Sequence, residues 1–145
     1  MNLLKKEGFT MIEILFVLLI IAVLAAMVAP NLVGRGEKAK KTAAQADIEA
    51  NLSEVFDLYE LDNGRYPSTE QGLRALLQKP TTAPVPENWS GPYLKKKTVP
   101  KDPWGNEYLY LYLGVHNKDS YDLSSYGSDG VESEDDIVNW EGAKR

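Results

Sequence analysis

Lys5-Lys6-Glu7-Gly8-Phe9-Thr10-Met11-Ile12-Glu13, then the apolar run Ile14-Leu15-Phe16-Val17-Leu18-Leu19-Ile20-Ile21-Ala22-Val23-Leu24-Ala25-Ala26-Met27-Val28-Ala29 and Pro30, decides how this chain is read. From Phe9 to Ala29 the only charge is Glu13 and the only hydroxyl is Thr10. As a helix this run spans roughly 30 Å at about 1.5 Å per residue, the thickness of a bilayer core. Lys5 and Lys6 precede it, which holds that end on the cytoplasmic side. A cleaved secretory signal has a shorter apolar region and small residues at its cut site. Here Ala25-Ala26-Met27-Val28-Ala29 offers no clear A-x-A site. Hydropathy alone fits a plain signal anchor equally well. Glu13 does not suit a plain anchor. A carboxylate near the bilayer centre costs about 2.5–3.5 kcal/mol on insertion scales, and less near the interface. Such a group either faces a partner charge or reaches back to the headgroups.

The composition narrows the rest. The 145 residues carry 16 Lys+Arg, 21 Asp+Glu, one His and no Cys, for a net charge of −5. That length fits one small domain beside the apolar segment. No Cys means no disulfide, thiolate zinc site or Cys nucleophile. One His leaves no multi-His metal site. An acidic balance without a basic stripe argues against nucleic acid. Neither a phosphate-binding loop nor a catalytic constellation occurs, so no enzyme is expected.

Beyond Pro30 the pattern becomes helical again. Pro30 removes a backbone donor, and Gly34 and Gly36 follow, so residues 30–36 are the weakest helical stretch. Ala44, Ile48, Leu52, Val55, Phe56 and Tyr59 then share one face. Asp62-Asn63-Gly64 supplies the stop. A short helix is expected after Ser68-Thr69-Glu70-Gln71, which can form a capping box. Leu73, Leu76 and Leu77 give it an apolar face, and Lys79-Pro80 ends it. Pro80, Pro84, Pro86 and Pro92 make residues 80–92 a loop. Lys95-Lys96-Lys97 reads as solvated surface. Residues 107–113 alternate strictly, with Tyr108, Tyr110 and Tyr112 on one face and Leu109, Leu111 and Leu113 on the other, which is a strand. Tyr121 to Tyr126 returns as a second strand, and residues 93–99 are expected to supply a third. The fold class is therefore α+β, a long N-terminal helix on a small antiparallel sheet. Trp104 is expected to pack in a core or turn, and His116, in a hairpin loop, carries no expected chemistry.

Gly8-Phe9-Thr10-Met11-Ile12-Glu13 with its basic flank resembles the class III signal of type IV pilins and type II secretion pseudopilins. Leu61-Asp62-Asn63-Gly64-Arg65-Tyr66-Pro67-Ser68-Thr69-Glu70-Gln71-Gly72-Leu73 and Asp102-Pro103-Trp104-Gly105-Asn106 resemble segments of the major pseudopilins of type II secretion. The resemblance implies a pilin-like fold with a leader at 1–8, a transmembrane and assembly helix at 9–30, and a periplasmic globular domain at 31–145. It implies cleavage between Gly8 and Phe9 by a prepilin peptidase and N-methylation of Phe9. The new amino group, in a neighbouring subunit, is then the expected partner of Glu13. The implied function is a structural subunit that polymerises through its N-terminal helix into a periplasmic fibre driving export across the outer membrane. The implied partners are copies of itself, minor pseudopilins and the inner-membrane assembly platform. The implied location is the inner membrane, N-terminus cytoplasmic, and then the periplasmic pseudopilus. The alternative is a type IV pilin of a surface fibre for adhesion or motility, against which the missing Cys pair and the acidic C-terminal segment count.

That segment, residues 117–136, holds Asp119, Asp122, Asp129, Glu132, Glu134, Asp135 and Asp136 against the single base Lys118. Calcium favours six to eight oxygen ligands, which such a loop can supply. It is not an EF-hand. On residues alone, a solvated acidic loop is the commoner reading. Leu123 to Val131, then Glu132 to Ile137, is similar to the calcium loop of major pseudopilins. The similarity implies Ca2+ held by Asp129, Asp135, Ser133 and the carbonyls of Tyr126 and Val131. Asp136 is the alternate to Asp135.

Overall fold

The computed structural model describes residues 8–140. The leader residues before Gly8, with Lys5 and Lys6, and the residues after Trp140 lie outside it. The chain forms two compact units, one up to Lys38 and one from Ala39.

The first unit is helical. Helix α1 runs Met11–Ala46 and continues through Pro30, Gly34 and Gly36, the stretch expected to be weakest. One missing donor does not end a helix whose flanking turns are intact. Among the described residues no helix is long and apolar enough to cross a membrane. The described side chains of the apolar run end at Met27, and those of residues 28–33 lie outside the description.

The second unit is built on one helix face. After α1 come a π-helical segment, Asp47–Asn51, and helix α2, Leu52–Asn63. Ala44, Ile48, Leu52, Phe56 and Tyr59 are each at most 2% exposed, so the expected face is the buried one. The π segment was not anticipated, yet the spacing calls for it. Ala44, Ile48, Leu52 and Phe56 recur every four residues, and at 3.6 residues per turn that stripe drifts by about 40° per step. A stretch of i→i+5 bonding holds more residues per turn and brings the stripe back into line. Helix α2 stops at Gly64, whose φ of 71° lets its N–H reach the Glu60 carbonyl at 2.6 Å.

The capping box after Pro67 forms as expected. Gln71 N–H donates to Ser68 Oγ at 3.3 Å, and Ser68 N–H donates to Gln71 Oε1 at 3.0 Å. The helix it opens is a single 3-10 turn, Gly72–Leu76, with Leu73 and Leu76 buried.

The sheet has three antiparallel strands in the order β1-β2-β3: β1 Leu109–Tyr112, β2 Tyr121–Ser125 and β3 Ile137–Val138. Tyr110 pairs with Leu123 and Tyr112 with Tyr121. The tyrosine face meets the helix: Tyr110 stacks on Phe56 at 4.8 Å and Tyr121 lies 4.6 Å from the same ring. Leu109, Leu111 and Leu113 point outward and are exposed. The third strand corrects the expectation placed on residues 93–99. Tyr93 N–H bonds the Leu76 carbonyl at 2.8 Å, and its hydroxyl donates to Asp62 at 2.8 Å. These bonds tie that segment to the helices and leave the sheet edge to Ile137–Val138.

Candidate functional site

The N-terminal segment presents Gly8 and Phe9 in the open, Phe9 being 79% exposed. The apolar side chains behind them are uncovered too, from Ile12 and Leu15 to Leu24 and Met27. Glu13 has a local role that its charge alone did not suggest. Its backbone N–H donates to Thr10 Oγ1 at 3.3 Å, and its carboxylate accepts the Thr10 N–H at 3.4 Å. This is a capping box on α1, satisfying otherwise orphaned donors at the helix start. The signal was in the sequence, a Thr-x-x-Glu ahead of an apolar run.

In the second unit, residues 126–136 of the acidic segment form a loop between β2 and β3. Gly127 and Gly130, with φ of 67° and 69°, turn the backbone. Asp129 bonds within its own turn, accepting the Val131 N–H at 3.3 Å. Ser133 gathers the other two carboxylates: its hydroxyl lies 2.6 Å from Asp135 Oδ1 and 3.3 Å from Asp136 Oδ1, and its N–H donates to Asp136 at 3.1 Å. Lys41 donates to Asp135 Oδ2 at 2.8 Å. The bonds from Lys41 and Ser133 hold the Asp135 carboxyl below the usual carboxylate range.

Of the expected ligands, Ser133 and Asp135 are therefore together, with Asp136 beside them, while Asp129 serves its own turn. Among the described residues no three His, Cys, Asp or Glu side chains converge as a metal site. The expected set does not require that, because it uses two carboxylates, a hydroxyl and two carbonyls. All donors are oxygens, which suits a hard cation. The Lys41 ammonium occupies Asp135 Oδ2, so calcium would share or displace that ion pair. The donor types, though not yet a converged set, suit calcium.

Two hydrogen-bond networks of this unit were missed from sequence. The first is the Asp102–Asn106 turn. Asp102, 4% exposed, accepts the N–H groups of Trp104 at 3.0 Å and Asn106 at 2.8 Å on one oxygen. Its other oxygen takes the hydroxyl of the fully buried Ser125 at 2.6 Å. Asp before Pro-x-Gly is a turn signal, but nothing local pointed to Ser125. Trp104 is half-buried, with Lys40 Nζ 6.0 Å from its ring centre.

The second is centred on Asp122 of β2 and holds the connection between β1 and β2. Its carboxylate accepts the N–H groups of Val115, His116 and Asn117 at 2.8, 2.9 and 2.9 Å and contacts His116 Nδ1 at 3.0 Å. Burial pushes its pKa up, but the bonds from His116, Asn117 and Val115 win and lower it. The His116 ring stacks on Trp140 at 4.1 Å with the planes 3° apart. His116, of which no chemistry was expected, thus has a packing role.

Comparison with known proteins covers nearly the whole chain. The family described as Type II secretion system (T2SS), protein G matches residues 31–140. The prokaryotic N-terminal methylation motif matches residues 3–29. The chain is 49% identical over 138 residues to the type II secretion system core protein G of Dickeya chrysanthemi, covering 94% of this chain and 87% of the relative. It is 48% identical over 142 residues to that of Pseudomonas aeruginosa, covering 94% and 96%. Among solved structures it is similar to the major pseudopilin from the type 2 secretion system of enterohaemorrhagic Escherichia coli. That match has a TM-score of 0.66 and 45% identity, covering 77% of this chain and 91% of the other.

Proposed function

The chain belongs to the type II secretion system protein G family, and we propose that it polymerises through its N-terminal helix into a periplasmic fibre that drives protein export across the outer membrane. It is a structural subunit of the pseudopilus, and its family is one of structural subunits rather than enzymes. The relatives favour this reading over a surface type IV pilin. The observation that carries it is the unbroken correspondence: a methylation motif over residues 3–29 joined directly to the family domain over 31–140.

A prepilin peptidase cuts between Gly8 and Phe9, and Phe9 is N-methylated. The helix of residues 9–30 holds the precursor in the inner membrane, its N-terminus cytoplasmic, until an assembly platform extracts it into a fibre with minor pseudopilins at hand. The exposed apolar side chains of α1 would be covered first by lipid and then by neighbouring helices. Before assembly Glu13 caps its own helix. In the fibre it would face the Phe9 amino group of a neighbouring subunit, where an unpaired charge is costly. Calcium would be held by Asp129, Asp135, Ser133 and the carbonyls of Tyr126 and Val131. It would supply positive charge that relieves carboxylate repulsion and ties the loop together.

The test is expression of the full chain with the peptidase and assembly machinery. Mass spectrometry of the mature protein should start at methylated Phe9. Glu13→Ala should be processed and remain membrane-inserted, yet give few fibres. A mature start near residue 30, or normal fibre yield from Glu13→Ala, would overturn the assembly reading.

A further inference from the structure

Gly127 is held at both ends, by Ser125 at the end of β2 and by Asn106 in a turn distant in sequence. Its N–H donates to Ser125 Oγ at 3.2 Å, and its carbonyl accepts from Asn106 Nδ2 at 3.1 Å. Ser125 is fixed in turn. It is 0% exposed, and its hydroxyl proton is committed to Asp102 Oδ2 at 2.6 Å. A carboxylate only accepts, so the hydroxyl cannot reverse, and its lone pair is left to take the Gly127 N–H. Asp102 cannot swing away either. Its other oxygen is held by the N–H groups of Trp104 and Asn106, and its own backbone closes the turn through Asp102 N–H to Asn106 O and Gly105 N–H to Asp102 O, both 2.9 Å.

The Gly127 N–H is one half of the Tyr126–Gly127 peptide, and the Tyr126 carbonyl is the other half. In a planar trans peptide the two point in opposite directions. Drawing the N–H inward to the buried Ser125 therefore turns the Tyr126 carbonyl away from the core, on the loop side. We propose that Ser125, locked by Asp102 and assisted by Asn106, is a positioning residue that sets the Tyr126 carbonyl for calcium. This rests on the calcium reading given above. The Asp102-Pro103-Trp104-Gly105-Asn106 turn is then a template for the loop as well as a stretch of packing. A ligand carbonyl that must find its direction anew on each binding event loses affinity, and outer-shell supports of this kind are typically worth 10–100-fold in metal affinity.

The experiment is a calcium titration by calorimetry on the full chain in detergent, with a thermal melt of each protein in chelator. Ser125→Ala should weaken calcium binding by about tenfold or more. Asn106→Ala should weaken it by a few-fold while leaving the fold intact, since Asn106 is exposed. A merely structural role predicts otherwise: a lower melting temperature in chelator with the calcium Kd unchanged. Unchanged Kd in Asn106→Ala and in folded Ser125→Ala overturns the inference while leaving calcium binding in place. Should Ser125→Ala fail to fold, the Kd of Asn106→Ala decides alone. Absence of calcium binding by the wild type overturns the calcium reading itself, and the inference with it.

Discussion

Replacing Asp122 by Asn keeps the shape of the side chain and removes its charge. In the wild type one carboxylate oxygen takes the Val115 and His116 N–H groups and the other takes that of Asn117. The amide in Asp122→Asn can keep an oxygen towards one side only. Turned towards Val115 and His116, where it keeps two bonds, it sets its NH2 against the Asn117 N–H, which loses its acceptor, and the two bonds it keeps lose their charge. Hydrogen bonds to a charged group contribute about 1.5–3 kcal/mol each. Val115 and His116 are exposed enough for water to replace part of the loss, so the lower end applies. One bond lost at about 1.5 kcal/mol and two weakened by about half that each come to about 3 kcal/mol, a large fraction of the 5–15 kcal/mol typical of a whole domain. For a domain of about 100 residues this lowers the melting temperature by roughly 12–24 °C. The assay is thermal unfolding of the full chain in detergent, followed by near-UV circular dichroism. The pH dependence has a definite sign. The folded pKa of Asp122 is depressed, so its stabilisation is complete above the unfolded carboxylate value, about 3.9, and is lost as pH falls through the lower folded value. The gap between wild type and variant should be constant from neutral pH to about 4 and shrink below that. A loss under about 1 kcal/mol at pH 7, or a gap that widens on acidification, refutes the reasoning.

Three other outcomes are expected. Phe56→Ala should cost about 3–5 kcal/mol in urea unfolding, because Phe56 is 0% exposed and packs on both Tyr110 and Tyr121. Gly64→Ala should cost about 1–2 kcal/mol through the backbone alone, since φ is 71° and nothing lies within 4 Å of an added Cβ; a neutral result would mean that α2 ends differently. Calcium at a hundredfold excess over Kd should stabilise the wild type by about 2.7 kcal/mol, several degrees in the melt. Asp129→Ala and Asp135→Ala should melt like the chelated wild type, and identical wild-type melts with calcium and with chelator would falsify the metal site.

The sequence determined this protein wherever the information was local. A long apolar run, a Gly-Phe-x-x-x-Glu junction, a four-residue stripe from Ala44 to Phe56, an alternating Tyr/Leu strand and Gly64 as a stop each fix a conformation through neighbours a few residues away. Even two features that were overlooked, the Thr10–Glu13 capping box and the π segment, follow from local spacing. Tertiary structure decided what depends on pairing across the chain. Residues 93–99 and Ile137–Val138 were both short enough to be strands, and the bonds of Tyr93 to Leu76 and Asp62 left the sheet edge to the second. The acidic run was legible as a set of oxygen donors, because composition is local, while the calcium candidates within it were named by the resemblance. Which carboxylates stand together was not legible, since Ser133 and Lys41 make that choice, and Lys41 lies far away in sequence. The same reason hid the Asp102–Ser125 bond: two residues at a separation of 23 meet only after the helix and sheet have closed over them.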